Sequence, residues 1–310
     1  MATALYTHPD MLDHRPGGRH DDKPERLVSV LGALKAASPL DLEPRAAPFV
    51  TRAELDAVHE PAFVESIFSN APTSGRLRLE RFTAMSPGSL TAARRAAGAV
   101  VDAVRAVASG EIERAFCAVR PPGHHAEPGR ALGYCIFSNV AVAARAAQAA
   151  GLARVAIVDF DVHHGNGSQR VAEQDPSLFF ASAHEFPGPN AYPEGSGLPS
   201  ERGLGNVVNA TVPPGSSRET WRAAFESLMA PLDAFAPDLI LISAGFDAHA
   251  RDPLSDQALE AEDFAWATRA IASVARARSR GRIVSSLEGG YDLEALGQSA
   301  VAHVRALAEG

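Results

Sequence analysis

The stretch "VAIVDFDVHHGNG", Val155 to Gly167, starts as an apolar run and turns within a few residues into carboxylates, imidazoles and glycines. A short apolar run without alternation is what a strand shows when both of its faces are covered, as in a parallel sheet. The pattern recurs outward in both directions. Apolar, β-branched or aromatic runs lie at Ala115–Val119, Val155–Phe160, Leu178–Ala183, Val207–Val212, Leu239–Ser243 and Ile283–Leu287. Between many of them, stretches rich in Ala, Arg and Glu carry helical spacing at Asn139–Ala150, Arg218–Phe235, Ala261–Arg278 and Asp292–Ala308. Strand alternating with helix predicts an α/β fold with a central, mostly parallel β-sheet and helices on both faces. The N-terminal part is less regular, with helices expected near Pro24–Ala37 and Ser89–Ser109. No composition shift marks a boundary, so one domain is expected over residues 1–310.

The chain is 46% hydrophobic and 21% charged, an ordinary globular composition, and it is long enough to bury a large core. Its net charge of −8 argues against nucleic acid as a partner. No run approaches the roughly 18 apolar residues of a membrane span, so no membrane partner is expected. Two cysteines, Cys117 and Cys135, are too few for a disulfide framework, and the start "MATALYTHPD" lacks the basic-then-apolar character of a secretion signal. These features point to a reducing cytoplasm. Lysine occurs only at 23 and 35 while arginine and alanine abound, a GC-rich codon signature that points to a bacterium. Nothing in the sequence excludes a homo-oligomer.

Ligands of open parallel sheets bind beyond the carboxyl ends of the strands, so the residues that follow the apolar runs are the candidates. Four of those ends are loaded: "RPPGHHA" from Arg120, "DFDVHHGNG" from Asp159, "AGFDAH" from Ala244 and "EGGYD" from Glu288. Continued alternation would point Asp159, Asp161 and His163 one way and His164 the other. Asp161 and His163 are then two ligands for one metal, with Asp247 at another strand end as a third. Carboxylate oxygen and imidazole nitrogen suit Zn²⁺, and three protein ligands leave the open position of a catalytic site. Taken alone, the Asp-x-Asp-x-His-His motif would sooner be read as an N-cap and hydrogen-bonding cluster leading into the next helix; four loaded strand ends together favour the metal. The adjacent imidazoles His124 and His125 can divide base and acid work on a water and a leaving group if their pKa values are pushed apart. Asp159 and Asn166 are available as their partners. Tyr291, behind two glycines, is placed to donate a hydrogen bond to a developing oxyanion.

The ordered segments "RPPGHHA", "GYCIFSN", "VDFDVHHGNGSQ", "SAGFDAHARDPL" and "LEGGYD" resemble the zinc-dependent histone deacetylase superfamily, whose domain has the arginase/deacetylase fold. The spellings "HHGNG" and "LEGGY" are nearest its class II and bacterial histone deacetylase-like amidohydrolases, and the resemblance runs from about His8 to the end of the chain. It implies an amidohydrolase that removes acetyl or other acyl groups from the amine of lysine or of a small acylated amine. By the same resemblance, Asp161, His163 and Asp247 hold Zn²⁺. His125 is base and then acid with Asn166 as partner, His124 is its electrostatic companion on Asp159, and Tyr291 polarises the carbonyl. A structural K⁺ or Na⁺ is implied at Asp159, Asp161, His163, Ser182 and Ala183. Tyr134 and Tyr192 stand where relatives line the acyl channel with aromatics, and His20 and Arg26 border its inner pocket. A rim acid that grips substrate is sought around Glu80 in "RLERFTAMSPGS".

Three other readings differ at identifiable positions. Acetylpolyamine amidohydrolases share the catalytic motifs, and some carry Glu after "DP", where this chain has Leu254. A binuclear, arginase-like hydrolase needs a further carboxylate where Gly165 stands, and His249 would be a partial substitute. A non-catalytic acyl-ligand module would have no need of the proton-transfer groups and Tyr291, which are all present.

Overall fold

A computed structural model describes residues 3–18, 20–37, 39–186 and 192–310. The strands are β1 (Thr3–Thr7), β2 (Leu42–Ala46), β3 (Leu77–Arg78), β4 (Ala84–Met85), β5 (Arg114–Cys117), β6 (Val155–Asp159), β7 (Leu178–Glu185), β8 (Val207–Val212), β9 (Leu239–Ala244) and β10 (Ile283–Leu287). Eight of them form one sheet in the order β2-β1-β5-β10-β9-β6-β7-β8, and every pairing in it is parallel. The middle neighbours β5, β10, β9 and β6 are the strands whose ends carry the four loaded motifs. Parallel pairing puts those ends on one edge of the sheet, which brings residues from 120 to 291 to one place.

Every residue of β6, β9 and β10 is buried, as the unalternating runs require. The helices are α1 (Pro24–Ala36), α2 (Arg52–Asp56), α3 (Pro61–Ser69), α4 (Ser89–Ser109), α5 (Asn139–Ala149), α6 (Asn166–Ala172), α7 (Arg218–Glu226), α8 (Met229–Phe235), α9 (Ala261–Arg278) and α10 (Leu293–Glu309). Helix α4 packs on β1, β5 and β10 and against α5, which covers β6 and β9; α10 packs between α1 and α9. In α4 the buried positions Ala93, Ala96, Ala97, Val100, Val104 and Val107 follow the 3.6 period, and small side chains there allow close approach to the sheet. The helix stops at Gly110, whose φ of 77° is the left-handed conformation that suits a helix C-terminus.

The helix expected over Arg218–Phe235 is two helices. Ser227 and Leu228 separate α7 from α8, and Pro231, in the first turn of α8, has no N–H to bond the Ser227 carbonyl. The edge strand β2, "LEPRA", gave no strand signal because an edge tolerates charge and proline.

The core anchors the site loops from below. Phe160, between Asp159 and Asp161, points into a cluster with Phe246 and Phe264, at ring separations of 6.0 and 5.9 Å. Phe246 directly precedes Asp247. Alternation thus sends an aromatic into the core and its acidic neighbours toward the site. Truncating a buried Phe costs about 3–5 kcal/mol, and at Phe160 it would also loosen the acids on either side.

Candidate metal centre and acyl channel

The strand β6 ends at Asp159, and the turn after it presents Asp161 and His163. Their ligand atoms and those of Asp247 lie within 4.8 Å of one another. His163 Nδ1 stands 3.3 Å from Asp161 Oδ1 and 3.1 Å from Asp247 Oδ2. Backbone amides orient both carboxylates: Gly289 N–H donates to Asp161 Oδ2 at 2.8 Å, and Val162 N–H to Asp247 Oδ1 at 2.9 Å. Glycine is required beside them, because a Cβ at Gly245 would lie 2.0 Å from Asp161 Oδ2 and one at Gly289 2.2 Å from Asp247 Oδ2. Helix α6 begins at Asn166 without a side-chain cap, so the acids of the motif are not spent on capping it. His164 faces away, toward Ser196 and Gln169.

This donor set fits a divalent cation. Two buried carboxylates converge where their mutual repulsion raises the pKa of Asp247, after burial itself. Burial opposes a charged imidazole at His163, yet hydrogen bonds to Asp161 and Asp247 outweigh it and hold its pKa well above the ordinary range. The pocket thus calls for positive charge, and two oxygens with one nitrogen suit Zn²⁺. Among the described residues no second such group occurs. His249, a candidate second-metal ligand, accepts from Arg251 N–H at 3.1 Å and lies 3.5 Å from Glu260.

The paired imidazoles sit in opposite electrostatic settings, with ring centres 3.9 Å apart. His124 Nδ1 is 3.0 Å from Asp159 Oδ2, and its Nε2 is 3.8 Å from Asp161 Oδ2. Burial would lower its pKa, but the charges of Asp161 and Asp159 prevail and raise it to about 10. His125 is pushed well below its ordinary value, by burial first and then by the charges of His124 and His163. Its Nδ1 is 2.8 Å from Asn166 Oδ1, and Asn166 Nδ2 donates to Glu127 at 2.7 Å. An amide oxygen only accepts, so His125 carries its proton on Nδ1 and turns a bare Nε2 to the cavity.

That cavity, of about 180 Å³, is lined by Phe82, His125, Tyr134, His163, Tyr192, Leu254 and Tyr291 together with Gly133. Both expected tyrosines therefore wall it. Tyr134 has a φ of 67°, a left-handed conformation that costs a non-glycine residue on the order of 1–3 kcal/mol. Thr83 Oγ1 accepts from its N–H at 2.9 Å, and Asp21 accepts from its hydroxyl at 3.1 Å, which holds it there. Burial, foremost, raises the Tyr291 pKa well above its usual value and keeps the phenol a neutral donor.

Residues outside the expected catalytic set also shape the site, and Asp252, Asp22, Phe82 and the role of Glu288 were not anticipated from the sequence. Asp252, in the "DPL" segment, accepts from Tyr291 N–H at 2.6 Å with one oxygen and from Leu254 N–H at 3.0 Å with the other. Glu288 accepts from the N–H groups of Gly123 and His124 at 2.6 and 3.1 Å, tying the β10 end to the β5 end. Arg26 donates to the carbonyls of Gly290 and Glu288 at 2.6 and 2.5 Å, and its guanidinium lies 4.8 Å from the Tyr291 ring centre. The buried Asp22 holds both Arg26 and Arg120, each at 2.7 Å. His20 packs on Tyr134 at 4.5 Å. Phe82, at the tip of the β3–β4 hairpin, meets Tyr192 edge to face at 5.3 Å. Glu80 faces inward instead of gripping from the rim: its Oε1 accepts from Gly133 N–H at 3.1 Å and the Thr83 hydroxyl at 2.7 Å. Ser182, opposite Asp159 in the β6–β7 pairing, bonds His184 at 2.9 Å, and Ala183 follows it in β7.

Comparison with known proteins agrees with this geometry. The model of the histone deacetylase domain matches residues 20–307. Histone deacetylase 15 of Arabidopsis thaliana is 36% identical over 93% of this chain and 52% of its own length. The histone deacetylase-like amidohydrolase of Pseudomonas aeruginosa is 36% identical over 88% of this chain and 72% of its own. The polyamine deacetylase HDAC10 of Homo sapiens is 36% identical over 99% of this chain and 48% of its own. The chain thus spans about half the length of the plant and human relatives. The crystal structure of the HDA15 HD domain superposes with a TM-score of 0.92 at 34% identity, covering 99% of this chain and 88% of the other. With the parallel sheet, the Asp-His-Asp group and the paired histidines on one edge of it, these matches make the chain a member of the histone deacetylase family.

Proposed function

We propose that residues 1–310 form one catalytic domain, a zinc-dependent amidohydrolase that removes acetyl or other acyl groups from the side-chain amine of lysine or a related primary amine. The observation that carries this reading is His125: a neutral imidazole with a bare Nε2, opening on the same cavity as His163 and Tyr291. Asp161, His163 and Asp247 would hold the zinc ion, which when bound supplies Lewis acidity to the attacking water and the scissile carbonyl. His125 Nε2 takes a proton from that water as its oxygen bonds the acyl carbon. The imidazolium then gives the proton to the leaving amine as the C–N bond breaks, releasing a carboxylic acid and a free amine. Asn166 keeps the His125 proton on Nδ1 throughout. His124, held charged by Asp159 and Asp161, raises the acidity of the His125 imidazolium and so favours that second transfer. Tyr291 donates to the acyl oxygen as negative charge grows on it.

Tyr134, Tyr192, Phe82 and Leu254 enclose the acyl-amine stem and exclude water. A monovalent cation, K⁺ or Na⁺, at Asp159, Asp161, His163, Ser182 and Ala183 is part of the reading; its support is the family pattern and the pairing of Asp159 with Ser182. A reducing, cytoplasmic, bacterial setting is also part of it, supported by two buried free thiols and by residue usage. Among the described residues no helix is long and apolar enough to cross a membrane. The test is a panel of acetyl-, longer-acyl- and trifluoroacetyl-lysine peptides beside acetylated polyamines, assayed on zinc-loaded protein. Release of carboxylic acid from acyl-lysine is expected. Turnover of acetylated polyamines alone would replace this reading with the polyamine one, and zinc binding without any hydrolysis would make the chain a binding module.

A further inference from the structure

Beside the channel lies a second cavity of about 480 Å³ that shares Phe82, Tyr134 and Leu254 with it, so whatever leaves the channel mouth meets this space. Its lining includes Arg76, Arg78 and Arg81. We propose that this cavity is an anion subsite, which takes the free α-carboxylate of an N-acyl-lysine whose side chain occupies the channel. The proposal rests on reading the channel as an acyl-amine site.

The guanidiniums are seated on the wall. Arg76 lies against Gly17, where a Cβ would come within 1.7 Å of its Nη2. Arg78 donates to the carbonyls of Glu80 and Arg81 at 3.1 and 3.0 Å, so backbone holds it on the hairpin tip. Arg81 lies 4.8 Å from the Phe82 ring centre. Among the described residues none of the three forms an ion pair. Arginines of the adjoining surface behave otherwise: Arg130 pairs with Glu127 and Arg170 with Glu173, each at 2.9 Å, and Arg251 with Asp292 and Glu294 at 3.1 and 3.0 Å. The chain has 37 acidic residues against 29 basic ones, so carboxylates to pair this wall are not scarce; they are placed elsewhere.

Two acids do border the cavity, and both are bound to its walls. Asp21 accepts from the Tyr134 hydroxyl, and Glu80 from Gly133 and Thr83. His20 is held toward its neutral form, chiefly by burial. Three guanidiniums thus outnumber two carboxylates, which leaves the lining net positive; Arg78 spends two donors on backbone, and the forks of Arg76 and Arg81 match a carboxylate. In an acyl-lysine the amide sits at the channel floor and the four-carbon stem fills the tube, which leaves the α-carbon at the mouth. Its carboxylate, when not in a peptide bond, reaches the arginines. A linear acylated diamine would instead bring an ammonium to a cationic wall. The substrate class is therefore an acyl-lysine at a chain's C-terminus or an Nα-acylated one, whose α-carboxylate is free and whose α-nitrogen carries no charge.

The test compares Nα,Nε-diacetyl-lysine with its α-methylamide, which differ by one charge, and with N-acetylcadaverine. At low salt kcat/KM should favour the carboxylate over the methylamide by roughly tenfold, as a few partly exposed ion pairs allow. The ratio should shrink as salt rises. In the double variant Arg76→Ala with Arg81→Ala it should fall to about twofold, with the thermal unfolding midpoint unchanged because both side chains are exposed. The affinities of the same compounds for zinc-loaded His125→Ala protein, read by calorimetry, should follow the same order. Arginine-dependent preference in binding without hydrolysis by the parent protein would leave the subsite standing and break the amidohydrolase reading. Equal kcat/KM and affinity for acid and amide, a ratio untouched by the double variant, no affinity for the carboxylate, or preference for N-acetylcadaverine would each overturn the subsite.

Discussion

At the floor of the cavity, Asp161, His163, Asp247 and the paired histidines follow the ends of central strands, and backbone amides or buried partners hold nearly every polar atom. At the mouth, Phe82, Tyr134, Tyr192 and Leu254 come from a short hairpin and from loops, and exposed arginines border them. The floor has one arrangement open to it, because a buried charge without its partner is costly. The mouth relies on aromatic packing and a few hydrogen bonds, each worth little alone. Substitutions at the floor should therefore change whether chemistry occurs, and substitutions at the mouth which substrate is favoured.

The largest effect is expected from Asp247→Ala, which removes one of the three proposed ligands and should abolish both zinc retention and turnover. Metal analysis after dialysis decides it; full occupancy would remove Asp247 from the ligand set and break the contrast at its root. Next comes His125→Ala, expected to lower kcat by about 10²–10⁴ with zinc retained. His124→Ala should leave more residual rate, because it acts on the chemistry through charge. Equal rates in the two variants would mean that the imidazoles share one role.

Tyr291→Phe keeps the ring and removes the donor, and kcat on an acetyl substrate should fall by roughly 10²–10³. A trifluoroacetyl substrate, already activated, should suffer less, so the ratio of the two rates reports on the phenol. Asp252→Asn sharpens the comparison, since Asp252 links floor to mouth through the amides of Tyr291 and Leu254. An amide can accept at only one of those places, so kcat should drop by about tenfold, the cost of one buried hydrogen bond. A trifluoroacetyl-to-acetyl ratio rising as in Tyr291→Phe marks Asp252 as a positioning residue; an unchanged ratio with a lowered melting point would reduce it to a structural one. The smallest effect belongs to the mouth itself. Phe82→Ala should raise KM a few-fold and leave kcat alone, and a large loss of kcat would show that the mouth takes part in the chemistry as fully as the floor.

The sequence by itself determined the sheet strands from β5 onward, most of the helices and the four loaded strand ends. Each of these has a local cause: a fully covered strand must be continuously apolar, a surface helix must repeat every 3.6 residues, and ligands at alternate positions share a face. The expected partners, His124 with Asp159 and His125 with Asn166, lie at hydrogen-bonding distance for the same reason of strand-end placement. Only the tertiary structure decided the rest. That β5, β10, β9 and β6 are neighbours depends on crossovers no local pattern encodes. Asp252 and Glu288 act through backbone groups of distant segments, and a backbone amide carries no side-chain signature; Arg26 was placed beside the pocket by the family pattern, but its bonds to the Gly290 and Glu288 carbonyls were not. Pro231 split one expected helix, and Phe82 reached the channel on the β3–β4 hairpin, whose loop sets its ring against Tyr192. Glu80, read as the place to look for a rim acid, turned inward because buried amide and hydroxyl donors at Gly133 and Thr83 needed an acceptor. Long-range packing of aromatics and pairing of polar atoms, which no local pattern encodes, set the mouth of this site.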